Sequence, residues 1–284
     1  MDDLIAEAKE VAARTAGRLG ITIQELREPT AHEAAAELLA RIWRADSPDE
    51  LLNARMMRAL AYAGNYVVGA FRGGVLIGCA VAFFGIDHLH SHITGVDPGA
   101  QSRGVGHAIK LHQRGWALDR RIESVHWTFD PLVRRNAYFN LHKLGARAVT
   151  YLPDFYGRMT DGINAGDTTS DRLYIQWDVA SPEAIAAAAG DSREVDYDRV
   201  AADAEVVLGR DASGTPAPAK PVYDGRPLLV AVPEDVETLR GRDPDLAVRW
   251  RGEVRDALGG ALEAGYRITG MARSGWYVMA EGAR

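Results

Sequence analysis

Two stretches hold residue types whose spacing could do chemistry: His90-Ser-His92 and the loop Gln101-Ser-Arg-Gly-Val-Gly106. A spacing of two on an extended strand puts both imidazoles on one face. An imidazole is largely neutral near pH 7 and can accept a proton there, a general-base service worth ~10²–10⁴ in rate. Gly104 and Gly106 carry no Cβ, so an anion can approach the backbone closely. Where such a loop opens a helix, the first N–H groups have no intrahelical partner and the macrodipole adds partial positive charge. The loop therefore reads as an anion site. It is not a P-loop, because no Gly-Lys-Ser/Thr follows. It also lacks the G-x-G-x-x-G order of a dinucleotide fold. His88 adds a third imidazole at the same period, but their spacing along a strand suits a tetrahedral metal poorly, and no metal is expected.

These residues need a strand that feeds a helix. Residues 88–96 read as the strand, Asp97-Pro98-Gly99 as the turn, and 104–121 as the helix, with Val105, Ile109, His112 and Trp116 on one stripe. Upstream, the pattern predicts a helix over 2–19 and a strand over 21–27. A helix over 30–43 follows, with Thr30 as N-cap and Glu33 closing a capping box. Another helix runs from Ser47-Pro48 to Tyr62. Two strands, 65–72 and 75–86, form a hairpin through Gly73-Gly74. Downstream come a strand over 124–129, a short helix over 136–144 stopped by Gly145, a strand over 147–152, a long loop over 153–171 and a strand over 173–179. This order predicts an α/β (α+β) chain whose mixed, mostly antiparallel sheet carries helices on both faces.

After Ser181-Pro182 the composition turns to Ala, Asp, Glu and Pro, so residues 181–222 read as a linker. Residues 223–284 then give a small C-terminal β-α-β module: a strand at 228–232, a helix at 244–265 and one or two strands at 266–279. Trp250 is expected in its core and Arg251 at its surface. The boundaries so read are 1–180, 181–222 and 223–284. The module could complete a neighbour's sheet as readily as its own, which leaves a homodimer open.

The chain has 284 residues, 47% of them hydrophobic, and a net charge of −6. An acidic chain lacks the electrostatic footprint of a nucleic-acid binder. Its one cysteine, Cys79, lies in an apolar run and is expected as a buried small side chain. A single cysteine allows no disulfide within the chain, which fits a reducing cytoplasm. No basic leader precedes an apolar run near the N-terminus, and no run is long enough to span a membrane.

The motif Gln101-x-x-Gly104-x-Gly106, with Val96 and Pro98 before it and a long amphipathic helix after it, resembles the Q/R-x-x-G-x-G/A signature of the GNAT superfamily of N-acyltransferases. The resemblance extends more weakly over residues 21–180. It implies the GNAT fold, acetyl-CoA or another short acyl-CoA as co-substrate, and direct attack of a small-molecule amine on the thioester. The pantetheine arm would pair with the strand at Thr94, Gly95 and Val96. The pyrophosphate would sit on the amides of Gln101, Ser102, Arg103, Gly104, Val105, Gly106 and His107, and Asn136 would reach the pantetheine. The His-x-His strand is similar to that of the serotonin (arylalkylamine) N-acetyltransferases, which implies that His90 and His92 deprotonate the amine through water.

The chain departs from the family at Leu141, four residues before Gly145, where many members carry a tyrosine acid. Tyr138 and Tyr156 are the substitutes in reach, or no acid is needed, since a CoA thiolate with a pKa of about 8.5 leaves tolerably. For the acceptor, Asp154 could pair with an amine and Arg158 with a carboxylate. Trp127–Ala137 and Tyr151–Asn164 look like a bacterial GNAT subfamily, some of whose members are amino-acid N-succinyltransferases. The alternatives are a non-catalytic acyl-CoA sensor and an acyl-CoA hydrolase or decarboxylase using the same pocket.

Overall fold

A computed structural model describes the chain except for residues 102, 160, 161, 163–168, 193, 283 and 284. The contacts divide it into two units. The first is chiefly Met1–Trp127 with Asp178–Ala189, and the second chiefly Thr128–Thr160, Asn164–Trp177 and Gly190–Arg284.

Unit 1 begins with α1 (Asp2–Arg18), which buries Ala8, Val11, Ala12 and Ala16 along one helical stripe. Strand β1 (Thr22–Glu25) pairs antiparallel with β2 (Tyr66–Arg72). Between them lie α2 (Pro29–Trp43), α3 (Asp49–Leu52) and α4 (Ala54–Tyr62). The expected Thr30 cap is corrected here. The helix starts at Pro29 with Glu28 as N-cap and no capping side chain, because proline's fixed φ suits the first helical position. The single helix expected from Ser47 to Tyr62 is instead broken at Asn53, whose side chain accepts from Met56 N at 2.8 Å and starts α4 afresh.

Strands β2 and β3 (Val75–Phe84) form the predicted hairpin, with Gly73 and Gly74 at φ 55 and 80. Both positive values suit the tight turn that twisted strands favour. Strand β4 (Leu89–Val96) pairs antiparallel with β3 and parallel with β5 (Ser124–Phe129), so unit 1 has the order β1-β2-β3-β4-β5. Helix α5 (Val105–Asp119) joins β4 to β5, and α1 packs on it. On one sheet face α2 buries Ala35, Leu39 and Ile42 against Val67, Cys79 and Val81. On the other, Gly78 turns its missing Cβ towards Val105 and Ile109 of α5. Cys79 is fully buried, as expected, and burial pushes its thiol up to about 12. Helix α7 (Pro182–Ala189) closes this unit.

Unit 2 holds α6 (Arg134–Tyr138), which runs on as a π-helical turn over Phe139–Lys143 and stops at Gly145 with φ 65. Strands β6 (Arg147–Leu152) and β7 (Arg172–Asp178) pair antiparallel. Residues 181–222, expected as a linker, carry α7, α8 (Tyr197–Ala201), β8 (Glu205–Arg210) and β9 (Pro216–Pro218). Two of the prolines that suggested a linker, Pro216 and Pro218, sit in β9, at the end of the sheet, where a missing N–H costs least. The C-terminal sheet has the order β11-β12-β10-β8-β9, with β10 (Leu228–Ala231), β11 (Tyr266–Ala272) and β12 (Trp276–Glu281). Helices α9 (Val236–Arg242) and α10 (Pro244–Glu263) lie between β10 and β11 in the chain. Trp250 is fully buried as expected. Arg251 is a correction: it is 3% exposed, because it neutralises the buried Asp130. No helix among the described residues is long and apolar enough to cross a membrane.

Candidate active site

The candidate site forms around an irregularity in β4. Val81 pairs with Ile93 and Ala82 with Ser91, so the register skips His92. A bulge of this kind puts one extra residue on the strand and reverses the alternation beyond it. Before the bulge, Ser91 faces α5, where its hydroxyl accepts from Lys110 Nζ at 2.9 Å. After it, Ile93 packs in the α2 cluster, and a Cβ on Gly95 would lie 2.8 Å from Ile42 Cδ1. The bulge therefore keeps His90 and His92 on the α2 side, both against the Phe83 ring, with centroids at 5.0 and 5.8 Å. Their own centroids are 6.3 Å apart. The shared face inferred from their spacing is what the structure has, whereas Thr94 and Val96 turn towards α5.

The second feature is an open edge. The β4–β5 ladder consists of Leu89↔Val125 and His90↔His126 and then stops. From Ser91 to Val96, that edge of β4 has no strand partner among the described residues, while the opposite edge stays paired with β3. Parallel strands that part leave N–H and C=O groups facing the gap, which an extended chain carrying amides can pair with.

The open edge leads to the start of α5. Gly104 is its N-cap at φ 86, no side chain caps it and no acidic residue stands in its first turn. Those are the conditions under which a helix start attracts an anion. The Gln101 side chain turns back and donates to Val96 O at 3.0 Å, tying loop to strand, and its own amide points to Pro98 O. Arg103 is exposed, Val105 is buried and His107 is half-buried in the first turn. Ser102 lies outside the described residues.

Burial and neighbouring charge set the proton chemistry. His90 is pushed down to about 4, first by burial and then by the imidazoles of His92, His88 and His126 and by Lys110. Burial also lowers His92. Both rings are therefore neutral at pH 7, and the same burial makes them weaker bases than a free imidazole. His88 and His126 extend the row, stacked at 4.1 Å with an interplanar angle of 17°. Parallel stacked rings cannot both aim a nitrogen at one ion, and among the described residues no group is arranged to hold a metal. His126 was not legible in the sequence, since only the β4–β5 pairing brings it to His90. Asp87 bonds His88 Nδ1 at 2.8 Å, where residues 86–88 bend before the strand begins.

Lys110 was also missed. It is 5% exposed, bonds Ser91 and Gln113 Oε1, and lies 3.9 Å over the Trp127 ring. Burial pushes its ammonium down to about 7. Its place on the buried stripe of α5, one residue after Ile109, was the available signal.

The remaining expected residues lie in unit 2. Asn136 is exposed in α6 and is not its N-cap, which is Val133. The Tyr138 hydroxyl donates to Glu194, which Arg273 also holds. Burial and then that bond raise Tyr138 above the ordinary phenol range, which makes it a reluctant proton donor. Tyr156 is half-exposed and its hydroxyl meets Thr128 Oγ1 at 3.2 Å. Asp154 plays a structural part, for its carboxylate accepts from Ser170 N at 3.1 Å and pins the ends of the long loop. Arg158 is exposed in that loop.

Residues 32–145 match the profile of the acetyltransferase (GNAT) family. Several solved structures align with a little over half of the chain. The ribosomal-protein-S18-alanine N-acetyltransferase of Escherichia coli is 17% identical over 57% of this chain and 95% of its own, with a TM-score of 0.47. A phosphinothricin acetyltransferase of Sinorhizobium meliloti in complex with AcCoA is 13% identical over 55% and 87%, at 0.46. An aminoglycoside 6'-N-acetyltransferase complexed with coenzyme A is 16% identical over 56% and 98%, at 0.43. No curated protein matches the chain.

Proposed function

We propose that the chain, whose residues 32–145 match the profile of the GNAT acetyltransferase family, is a cytoplasmic acyl-CoA-dependent N-acyltransferase. It moves an acetyl or another short acyl group from CoA to the amine of a small molecule such as an amino acid. The observation that carries the reading is the open β4 edge, Ser91 to Val96, leading directly to the uncapped, glycine-started α5. An extended pantetheine arm pairs with the first and a pyrophosphate with the second.

The chemistry is direct attack. An ammonium is not a nucleophile, so the amine must first lose a proton. His90 and His92 are neutral and take it through water. Holding amine and thioester together lowers the barrier by several kcal/mol more. No nucleophilic side chain is used: Cys79 is buried and holds its proton to about pH 12. The thiolate can leave unaided at its ordinary pKa of about 8.5. Leu141 supplies nothing, and Tyr138 is committed to Glu194.

The test is CoA thiol release from acetyl-CoA and succinyl-CoA against L- and D-amino acids, arylalkylamines and aminoglycosides. Amine-dependent release with one donor is the expected result. Tight CoA binding without amine-dependent release on any acceptor would point to a sensor, and release without any amine to a hydrolase.

A further inference from the structure

The fork between β4 and β5 carries a second proton-bearing pair, on the face away from His90. The last closed rung is His90↔His126, and the next residues along, Ser91 of β4 and Trp127 of β5, begin the gap. An extended arm lying along the open edge from the start of α5, beside Val96, must therefore end at Ser91. Lys110 of α5 stands at that point. Its Nζ donates to Ser91 Oγ at 2.9 Å and to Gln113 Oε1 at 3.0 Å, and lies 3.9 Å from the centre of the Trp127 ring. One ammonium thus touches both strands where they part, and Ser91 and Lys110 are each 5% exposed. Neighbours along a strand point to opposite faces, so the fork has neutral imidazoles on its α2 side and a hydroxyl backed by an ammonium on its α5 side. The Lys110 charge acts on His90 across the strand. Packing alone does not call for that charge, since a methionine fills the same length without the cost of desolvating an ammonium. A perturbed, buried cation beside a candidate site points to chemistry.

We propose that the Ser91 hydroxyl gives a proton to the departing CoA sulfur, with Lys110 behind it as the positioning residue that orients the hydroxyl and supplies its next proton. This deepens the transferase reading and rests on it. As the amine nitrogen bonds to the carbonyl carbon, the C–S bond breaks and its electron pair stays on sulfur. The Ser91 proton moves to sulfur and a Lys110 proton moves to Ser91 Oγ. The lysine is left as a neutral amine and regains a proton from water after CoA departs. Ser91 can donate because it accepts from Lys110 and so keeps its own hydrogen to turn towards the gap. The transfer runs downhill: burial pushes the Lys110 ammonium down to about 7, below the thiol's ordinary value of about 8.5. A thiolate that can leave unaided then leaves faster, and the leucine at position 141 is no obstacle. The titratable groups at this point are Lys110 on the α5 side and, on the α2 side, His90 and His92 with His88 and His126 beside them and Asp87 on His88.

The experiment uses the full chain with Ser91→Ala and Lys110→Met. With acetyl-CoA and the amine that gives turnover, both variants are expected to lower kcat about 100-fold, with KM for acetyl-CoA unchanged. A basic limb of kcat, where activity falls as Lys110 loses its proton, is expected in the wild type and absent from Lys110→Met. Loss of packing alone would raise KM and leave the limb in place. Calorimetry gives a reading that needs no turnover. CoA and desulfo-CoA, in which hydrogen replaces the thiol, are titrated into all three proteins. The preference for CoA is expected to be about tenfold greater in the wild type than in either variant, with desulfo-CoA bound alike by all. A wild type that binds neither ligand overturns the transferase reading and this proposal with it. CoA binding with the same preference in all three proteins, or an unchanged kcat in Ser91→Ala, overturns this proposal alone.

Discussion

Asp130 and Arg251 share two hydrogen bonds that tie the turn after β5 to the middle of α10, with Arg240 as a third partner. The same carboxylate accepts from Leu132 N at 2.9 Å, so it also shapes the Asp-Pro turn. Asp130→Asn leaves Arg240 and Arg251 buried with a neutral partner, and a loss of about 3–5 kcal/mol is expected. Burial alone would raise this carboxyl, but Arg251 and Arg240 outweigh it and hold it well below the usual range. A depressed folded pKa contributes stability that is present above the unfolded value of about 3.9 and is lost as pH falls below it. Urea unfolding between pH 7 and pH 3 should show a steep acid loss in the wild type and a flatter one in Asp130→Asn.

His90 and His92 should separate turnover from cofactor binding. Changing both to Ala is expected to lower kcat by ~10²–10⁴, with the Kd for CoA unchanged by calorimetry. Both imidazoles titrate below the ordinary histidine value, for which burial is the leading cause. The acid limb of kcat/KM should therefore lie below the ordinary histidine pKa of about 6.5, activity being lost as the rings become protonated. An acid limb that stays in place in the double variant would remove them from the proton path.

Gly104 and Gly106 do different work. Gly104 has φ 86, where a Cβ is strained by about 1–2 kcal/mol, so Gly104→Ala should distort the helix start and weaken CoA binding about tenfold. Gly106 is helical, and a Cβ there would lie 3.8 Å from Val96 Cγ2, an ordinary contact. Gly106→Ala should raise stability by about 0.5–1 kcal/mol through helix propensity. It should still cost CoA affinity, because the methyl occupies the approach to the amides. Calorimetry with CoA and thermal melts of both variants would separate these effects.

The strand, turn and helix around the glycine loop were legible because each is a local pattern. Period two gives β4, Asp97-Pro98-Gly99 gives the turn, and the stripe from Val105 to Trp116 gives α5. The bulge at His92 was not legible, since a two-residue spacing is the same with or without one. Nor was the open edge beyond His90, because the divergence of two parallel strands leaves no mark on either. Arg251 was misjudged because whether an arginine is buried depends on a carboxylate far away in the chain, here Asp130, and sequence patterns do not report such partners. The proline-rich stretch near residue 217 misled in the opposite direction, since a sheet's outermost strand tolerates what a central one does not.

Lys110 gives the last prediction. It is a buried ammonium whose acceptors are the neutral Ser91 and Gln113 and whose roof is the Trp127 ring, and burial pushes it down to about 7. The unfolded chain holds this proton up to a pKa of about 10.4. Between those two values the unfolded state binds more protons, so this residue makes stability rise with pH. Below pH 7 both states are protonated and the folded one carries the full desolvation cost. Lys110→Met keeps the length and the contact with Trp127 and removes the charge. It should therefore be more stable than the wild type at pH 6, with the difference shrinking towards pH 10. Stability curves from urea titrations at pH 6, 8 and 9.5 would show it. A variant less stable at pH 6 would mean that the cation–π contact and the bond to Ser91 outweigh desolvation, and that Lys110 stays charged in the fold.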